Sequence, residues 1–249
     1  MNSIRKALAI LRQFSHETPE RGVTEISRAL DMDAAGVHRY LRALEADGFI
    51  ERNPETRRYS LGLALVELAN VRLAQTRLVD VAKPHLAWLL RETGETVQLS
   101  ILDRDSVFYV DILESPQPIR VASKIGDRAP LHFTAAGKLF LAFFADARQE
   151  EILSRPLNGP TPNSVIDPDR LRAELTEIRQ RGISIDDEGF ISYLRAVAAP
   201  VRDGSGDMIA AVAIGGPTQR VSMQVLDTFA TCLEQATKRI SGELGYIGH

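Results

Sequence analysis

The hydrophobic period of this chain changes to two just beyond Gly94, and the change limits what the chain can fold into. Before it, apolar residues recur every three or four positions, the spacing of helices that bury one face. After it, Thr96-Val-Gln-Leu-Ser-Ile-Leu102 and Val107-Phe-Tyr-Val-Asp-Ile-Leu113 alternate with a period of two on either side of Asp103-Arg-Asp-Ser106. That is the pattern of neighbouring antiparallel strands. Two differently built parts fit the one to two domains that 249 residues allow.

In the first part, Ile4, Leu8 and Leu11 set one face of a helix over residues 3–15. A loop over 16–22 leads to a second helix over 23–30, with Thr24 as its cap. Asp33 caps a third helix over 34–47, which Gly48 stops. Residues 49–52 and 57–60 predict two short strands. Asn53-Pro-Glu-Thr56 joins them, with Pro54 suited to the second position of a type I turn. Three helices and a hairpin outline a winged helix-turn-helix over residues 1–60. Residues 61–78 carry strong helix formers without proline and predict a linker helix, with the apolar stripe Leu61, Leu65 and Leu68 as a partner surface.

The second part, residues 79–249, opens within a helix over 78–91 and continues with the two alternating strands and a third at Ile119–Ser123. Helices follow over 134–144, 146–153 and 168–181. Strands over 196–203 and 208–215 flank the Gly204-Ser-Gly-Asp207 hairpin turn, and a helix over 221–243 closes the chain. Paired strands with helices in separate blocks predict an α+β domain with a mainly antiparallel sheet flanked by helices.

Composition narrows the function classes. With 44% hydrophobic and 25% charged residues, the chain is neither disordered nor fibrous. No apolar run reaches 18 residues, so no membrane span is expected. The start carries Arg5, Lys6 and Arg12 and lacks the apolar stretch of a signal peptide, which predicts a soluble, cytoplasmic protein. Cys232 stands alone, which excludes an intramolecular disulfide and leaves no cysteine cluster for a metal. The net charge of −3 divides into +1 over residues 1–60 (ten Lys/Arg, nine Asp/Glu) and −4 over the rest. Only the charge of the contacting face decides DNA binding, so this balance is neutral on it.

On the third predicted helix Val37, Leu41 and Leu44 share one face, while Ala34, Ala35, His38, Arg39 and Arg42 point largely the other way. Such a helix packs through one side and offers the other to a major groove. Arg52, Arg57 and Arg58 gather cations around the wing, where phosphates or a minor groove would lie. The same arrangement suits a protein-interaction module, so the pattern alone does not decide for DNA.

An enzymatic reading of the second part finds little support. Ala136-Gly-Lys-Leu139 lacks the first glycine and the metal-binding hydroxyl of a phosphate loop. No Gly-x-Ser-x-Gly occurs, five scattered histidines show no ligand spacing, and Asp186-Asp-Glu188 reads as solvated acids between a helix and a strand. No catalytic residue, metal or cofactor is expected. An alternative is a metabolite-binding module or enzyme with an accessory helical domain.

Arg5-Lys-Ala-Leu-Ala-Ile-Leu11, Val37-His-Arg-Tyr-Leu-Arg-Ala-Leu-Glu-Ala-Asp-Gly48 and Arg58-Tyr-Ser-Leu-Gly62 resemble the amino-terminal half of IclR-family transcriptional regulators. Gly94-Glu-Thr96, Pro130 to Lys138, Ile178-Arg-Gln-Arg-Gly182, Ala199-Pro-Val201 and Gly216-Pro217 match the other half in order. The resemblance covers essentially the whole chain. It implies a ligand-responsive regulator: a winged helix-turn-helix, a linker helix, and an effector-binding and oligomerisation domain of GAF-like topology. It also implies a homodimer or dimer of dimers on a palindromic double-stranded operator. Arg5, at the head of the first motif, and Thr24 join the DNA-facing set. Ala35-Gly36 stand where the family usually has two hydroxyl residues.

For the effector, Thr134-Ala-Ala-Gly137 opens a helix whose free amides suit a carboxylate. The resemblance carries the family's pocket positions onto Ala135, Ala136, Asp186, Leu194, Ala196, Ala213 and Gly215. Three of these change the chemistry: Ala196 stands for a Cys, and Ala213 and Gly215 for hydroxyl residues. Ile125 and Phe133 are expected to add apolar surface. A wall with fewer donors and more room predicts a weak acid or aromatic compound bulkier than a two- or three-carbon keto acid, unless Tyr193 or a neighbour fills the space.

Overall fold

The structure, a computed structural model, describes residues 2–74 and 77–248. It divides into two compact units, Met1–Thr76 and Arg77–His249.

The first unit runs α1 (Ser3–Leu11), α2 (Val23–Leu30), α3 (Ala34–Ala46), β1 (Ile50–Arg52), β2 (Tyr59–Leu61) and α4 (Ala64–Ala74). Its core is Ile10, Phe14, Ile26, Val37, Leu41, Ile50 and Tyr59, so one apolar face from each of the first three helices meets the inner side of the hairpin. Asp33 caps α3 as expected, its carboxylate accepting from the Gly36 amide at 2.6 Å. Thr24 does not cap α2. Gly22 does, with the Glu25 side chain returning to its amide at 3.2 Å, and Thr24 lies inside the first turn.

The expected linker helix is also corrected. Leu61 belongs to β2, pairing with Ile50, so it cannot share a helical stripe with Leu65 and Leu68. Helix starts only at Ala64 because Gly62 is needed where the chain leaves the wing: a Cβ there would lie 2.2 Å from the Gly48 carbonyl oxygen. Residues 75 and 76 lie outside the described residues, and Leu78 already opens the next helix.

The second unit is a six-stranded antiparallel sheet in the order β5-β4-β3-β8-β7-β6. The strands are β3 (Thr96–Asp103), β4 (Ser106–Leu113), β5 (Arg128–Pro130), β6 (Ser184–Asp187), β7 (Leu194–Arg202) and β8 (Met208–Pro217). One face carries Val97, Leu99, Val197, Val212 and Ile214 against α5 (Leu78–Thr93) and α9 (Met223–Glu243). The other carries Tyr109, Ala198, Ala211 and Ala213 against α6 (Ala135–Ala142), α7 (Asp146–Leu153) and α8 (Pro168–Arg181). Burial on both faces explains why β8 is apolar at almost every position.

Two elements differ from expectation. Residues 119–123 form no strand; they belong to a strap over residues 114–127. Pro116 and Pro118 lack the amides that a ladder needs, and the strap is held by side chains: Thr96 donates to the Val121 carbonyl at 3.4 Å and Gln98 to Ser123 at 2.7 Å. Asp186 is not a solvated acid at a junction, although Asp187 beside it is exposed. Both lie on β6, paired with β7 through Asp186–Ala196.

Helix α6 is seated by three contacts. Thr134 caps it, its hydroxyl accepting from the Gly137 amide at 3.0 Å. Arg179 of α8 donates to the carbonyls of Ala142 and Phe144 at and just past its other end. Gly137 lies so close to the preceding segment that a Cβ would meet the Leu131 and Pro130 carbonyl oxygens at 2.5 Å. Gly137→Ala is therefore expected to destabilise the protein by about 1–3 kcal/mol. Denaturant unfolding checks this, and an unchanged midpoint would contradict the packing.

Candidate nucleic-acid interface and ligand cavity

On α3 the apolar side is sealed, with Val37 and Leu41 fully buried, while Ala34, Ala35, Arg39 and Arg42 are exposed and His38 is half-buried. Arg39 lies over the Tyr40 ring at 5.6 Å, which holds its guanidinium close to the helix. Arg5 and Thr24 are exposed as well. In the wing, the Asn53 side chain accepts from the Glu55 and Thr56 amides at 3.0 and 3.2 Å, and the turn carries Arg57 at φ 57° on the exposed tip. Arg52 packs over Tyr59 at 5.8 Å. Among the described residues Arg5, Arg39, Arg42, Arg52 and Arg57 make no ion pair, so their charge is available to a partner.

Arg58 is different. It donates to the Glu25 carboxylate at 2.7 and 3.0 Å and to the Glu20 carbonyl at 3.1 Å. The Gly22 amide and then Arg58 hold the Glu25 carboxyl below its usual range. One arginine thus ties β2 to the start of α2, beside the backbone bridge between Arg21 and Tyr59. Helix capping and wing position share a carboxylate, a link between distant residues that the spacing of the sequence does not carry.

In the second unit a cavity of about 50 Å³ lies between the sheet, the start of α6 and the strap. Thr134, Ala135, Ala136, Asp186, Leu194, Ala196, Ala213 and Gly215 all line it. Ile125 does not; it is on the strap and exposed. Phe133 does not either; it faces a separate groove of about 640 Å³ beside α8 and stacks on Phe190 at 5.6 Å. Tyr193 is exposed and does not fill the space; Val121 of the strap packs on Gly215 instead, and the cavity is small. Gln98, Tyr109, Val121, Ser123, Phe190, Ile191 and Arg195 complete the wall. The alternation of β3 and β4 offered a signal for Gln98 and Tyr109, polar groups on a strand face; the strap residues offered none.

Strand register explains the floor. Asp186 pairs with Ala196, Ala196 with Gly215, and Gly215 with Thr96, one row crossing four strands. The next row runs Ser184, Ala198, Ala213 and Gln98. Small residues occupy the middle and polar ones the ends. At Gly215 a Cβ would stand 3.3 Å from a Val121 methyl, so the strap comes down on the glycine itself.

Asp186 is buried, and burial pushes its carboxyl up to about 6 against the pull of Lys138 and the Gly189 and Phe190 amides. Its Oδ1 accepts from Gly189 at 2.7 Å. Lys138, itself buried on α6, pairs with Glu174 of α8. Tyr109 is pushed up to about 12 by burial and by the Asp186 and Asp127 carboxylates, so its hydroxyl keeps its proton. Among the described residues no group of three metal-ligating side chains occurs, and no helix is long and apolar enough to cross a membrane.

Residues 3–54 match the family model described as the IclR helix-turn-helix domain, and residues 71–242 the one described as bacterial transcriptional regulator IclR C-terminal. The chain is 34% identical to the HTH-type transcriptional regulator KdgR of Dickeya chrysanthemi, over 99% of this chain and 81% of that protein. It is similar to the crystal structure of the Thermotoga maritima IclR, with a TM-score of 0.84 and 32% identity over 99% of this chain and 100% of that one. It is also similar to an IclR homolog from Microbacterium hydrocarbonoxydans complexed with 4-hydroxybenzoate, with a TM-score of 0.90 and 25% identity over 98% and 99% of the two chains.

Two measurements probe these sites. Because Asp186 holds its proton more tightly folded than unfolded, its contribution is full below about pH 4 and is lost as pH rises through about 6. Asp186→Asn should therefore gain stability relative to the wild type between those values, on the order of 2–3 kcal/mol. Parallel pH profiles of the two proteins would contradict this. At the wing, Arg57→Ala should shallow the dependence of log DNA affinity on log salt by about one unit. Arg58→Ala should lower thermal stability while leaving that slope unchanged; a slope that falls equally in both would place Arg58 on a phosphate.

Proposed function

This chain belongs to the IclR family of bacterial transcriptional regulators, and we propose that it works as a non-catalytic, cytoplasmic homodimer, or dimer of dimers, on a palindromic operator. It is a DNA-binding regulator whose affinity responds to a small organic effector. In the proposed complex α3 enters the major groove with Ala34 and Ala35 at its leading end, His38, Arg39 and Arg42 reaching base edges or phosphates, and Arg52 and Arg57 on the flanking backbone. One such helix reads few base pairs, and two half-sites about one helical turn apart multiply the specificity. The exposed Leu61, Leu63, Val66 and Leu68 supply apolar surface for a second copy.

The effector we propose is an acid with an apolar body, larger than pyruvate. The observation that carries this is the cavity floor, where Ala196, Ala213 and Gly215 present no side-chain donors. The amides that open α6 suit its carboxylate. The homolog holding 4-hydroxybenzoate supports the same ligand class. In the proposed mechanism the effector binds two dimer states with different affinity, and that difference shifts the operator equilibrium.

Fluorescence anisotropy with DNA from upstream of the protein's own gene tests the reading. Arg39→Ala should weaken binding by about 1–3 kcal/mol and relax preference at one base pair. Calorimetry should give tighter binding of aromatic acids than of glyoxylate or pyruvate. Tighter binding of the two small acids would overturn the proposed ligand class, and unaltered operator affinity of the Arg39 variant would overturn the proposed reading face.

A further inference from the structure

We propose that Gln98 sets effector specificity, its side-chain carbonyl accepting a hydrogen bond from a hydroxyl or amine of the bound ligand. The inference rests on the proposed function, in which an acid with an apolar body occupies the cavity.

Three observations meet at this residue. Gln98 lines the cavity and is 7% exposed, a neutral polar side chain on a strand whose neighbours on the other face, Val97 and Leu99, are sealed in the apolar core. Its Nε2 is committed, donating to Ser123 Oγ of the strap at 2.7 Å. Its Oε1 has no partner among the described residues, yet it is not among the sealed orphan atoms, of which Ser184 Oγ is the one found there. The oxygen therefore keeps access to the space that its side chain lines. A buried acceptor in that state gains little until a donor arrives, and it penalises any occupant that covers it without one.

Its position puts it within reach of the same ligand. Helix α6 contacts β6, β7, β8 and β4, and Gln98 stands on β3, between β4 and β8. It pairs with Ala213, which pairs with Ala198, so only methyl groups separate it from Ser184 along its row. Ser123 acts as a positioning residue: by holding Nε2 it turns Oε1 toward the cavity.

Calorimetry of the full chain with benzoate and 4-hydroxybenzoate tests this. The wild type should prefer the hydroxylated acid by about 10- to 100-fold. Gln98→Leu should bind both acids alike, with benzoate held at least as tightly as by the wild type. Ser123→Ala changes the half-buried strap rather than the core, so it remains informative if the leucine variant fails to fold; it should reduce the preference without abolishing benzoate binding. A preference that survives both substitutions, or a wild type that binds both acids equally, overturns the role of Gln98 and leaves the ligand class standing. If neither acid binds the wild type, the proposed use of the cavity falls and this inference with it.

Discussion

The second unit depends on the pairing of β7, β8 and β3, because both faces of those strands are covered. One face must satisfy two long helices and the other three short ones, so side chains on the two faces cannot be exchanged. A slip of one residue would bring Val197 and Ile214 to the ligand side and Ala196 and Gly215 to the core beneath α9. The cavity is a consequence of that register. It exists where the row from Asp186 to Thr96 has nothing larger than a methyl group between its ends, and where α6 begins rather than covers.

The charges near the cavity follow from the same packing. Lys138 and Asp186 are buried by a helix and a strand that apolar contacts hold together. Lys138 finds Glu174, and Asp186 keeps two backbone amides and a raised pKa of about 6. Buried ion pairs add little net stability, since desolvation offsets most of the attraction. What they add here is position: α6 is tied to α8 at Lys138 and again through Arg179. The amides at its start are thereby presented to the cavity from a rigid element, which lowers the entropy lost when an acid is bound.

The first unit applies the same economy with fewer residues. Seven buried side chains hold three helices and a hairpin. The Glu25–Arg58 pair is exposed and contributes little as a salt bridge. Its effect is geometric, since Glu25 also closes the capping box on Gly22. With the Arg21–Tyr59 bridge, the pair ties the base of the wing to the start of α2.

Local chemistry is legible in the amino-acid sequence. Asp33 and Thr134 announce helix starts, the 3.6-residue spacing places α3 and α8, the two-residue alternation places β3 and β4, and the Gly204-Ser-Gly-Asp207 turn places β7 and β8. The division of α3 into a sealed and an open face follows from the same helical period, and with it the exposed arginines. Each of these is decided within a few residues of sequence, by a cap, a turn or a repeat. Tertiary structure decided what depends on distant partners. Residues 184–187 became a strand because β7 offered an unpaired edge, against their acidic composition. Arg58 found its partner in Glu25, 33 residues away. The strap acquired its place from Thr96, Gln98 and Gly215, so Val121 and Ser123 entered the cavity wall while Ile125 and Phe133 did not. Periodicity records which face of an element is buried, but it is silent on which other element buries it, and a cavity is made of that second relation.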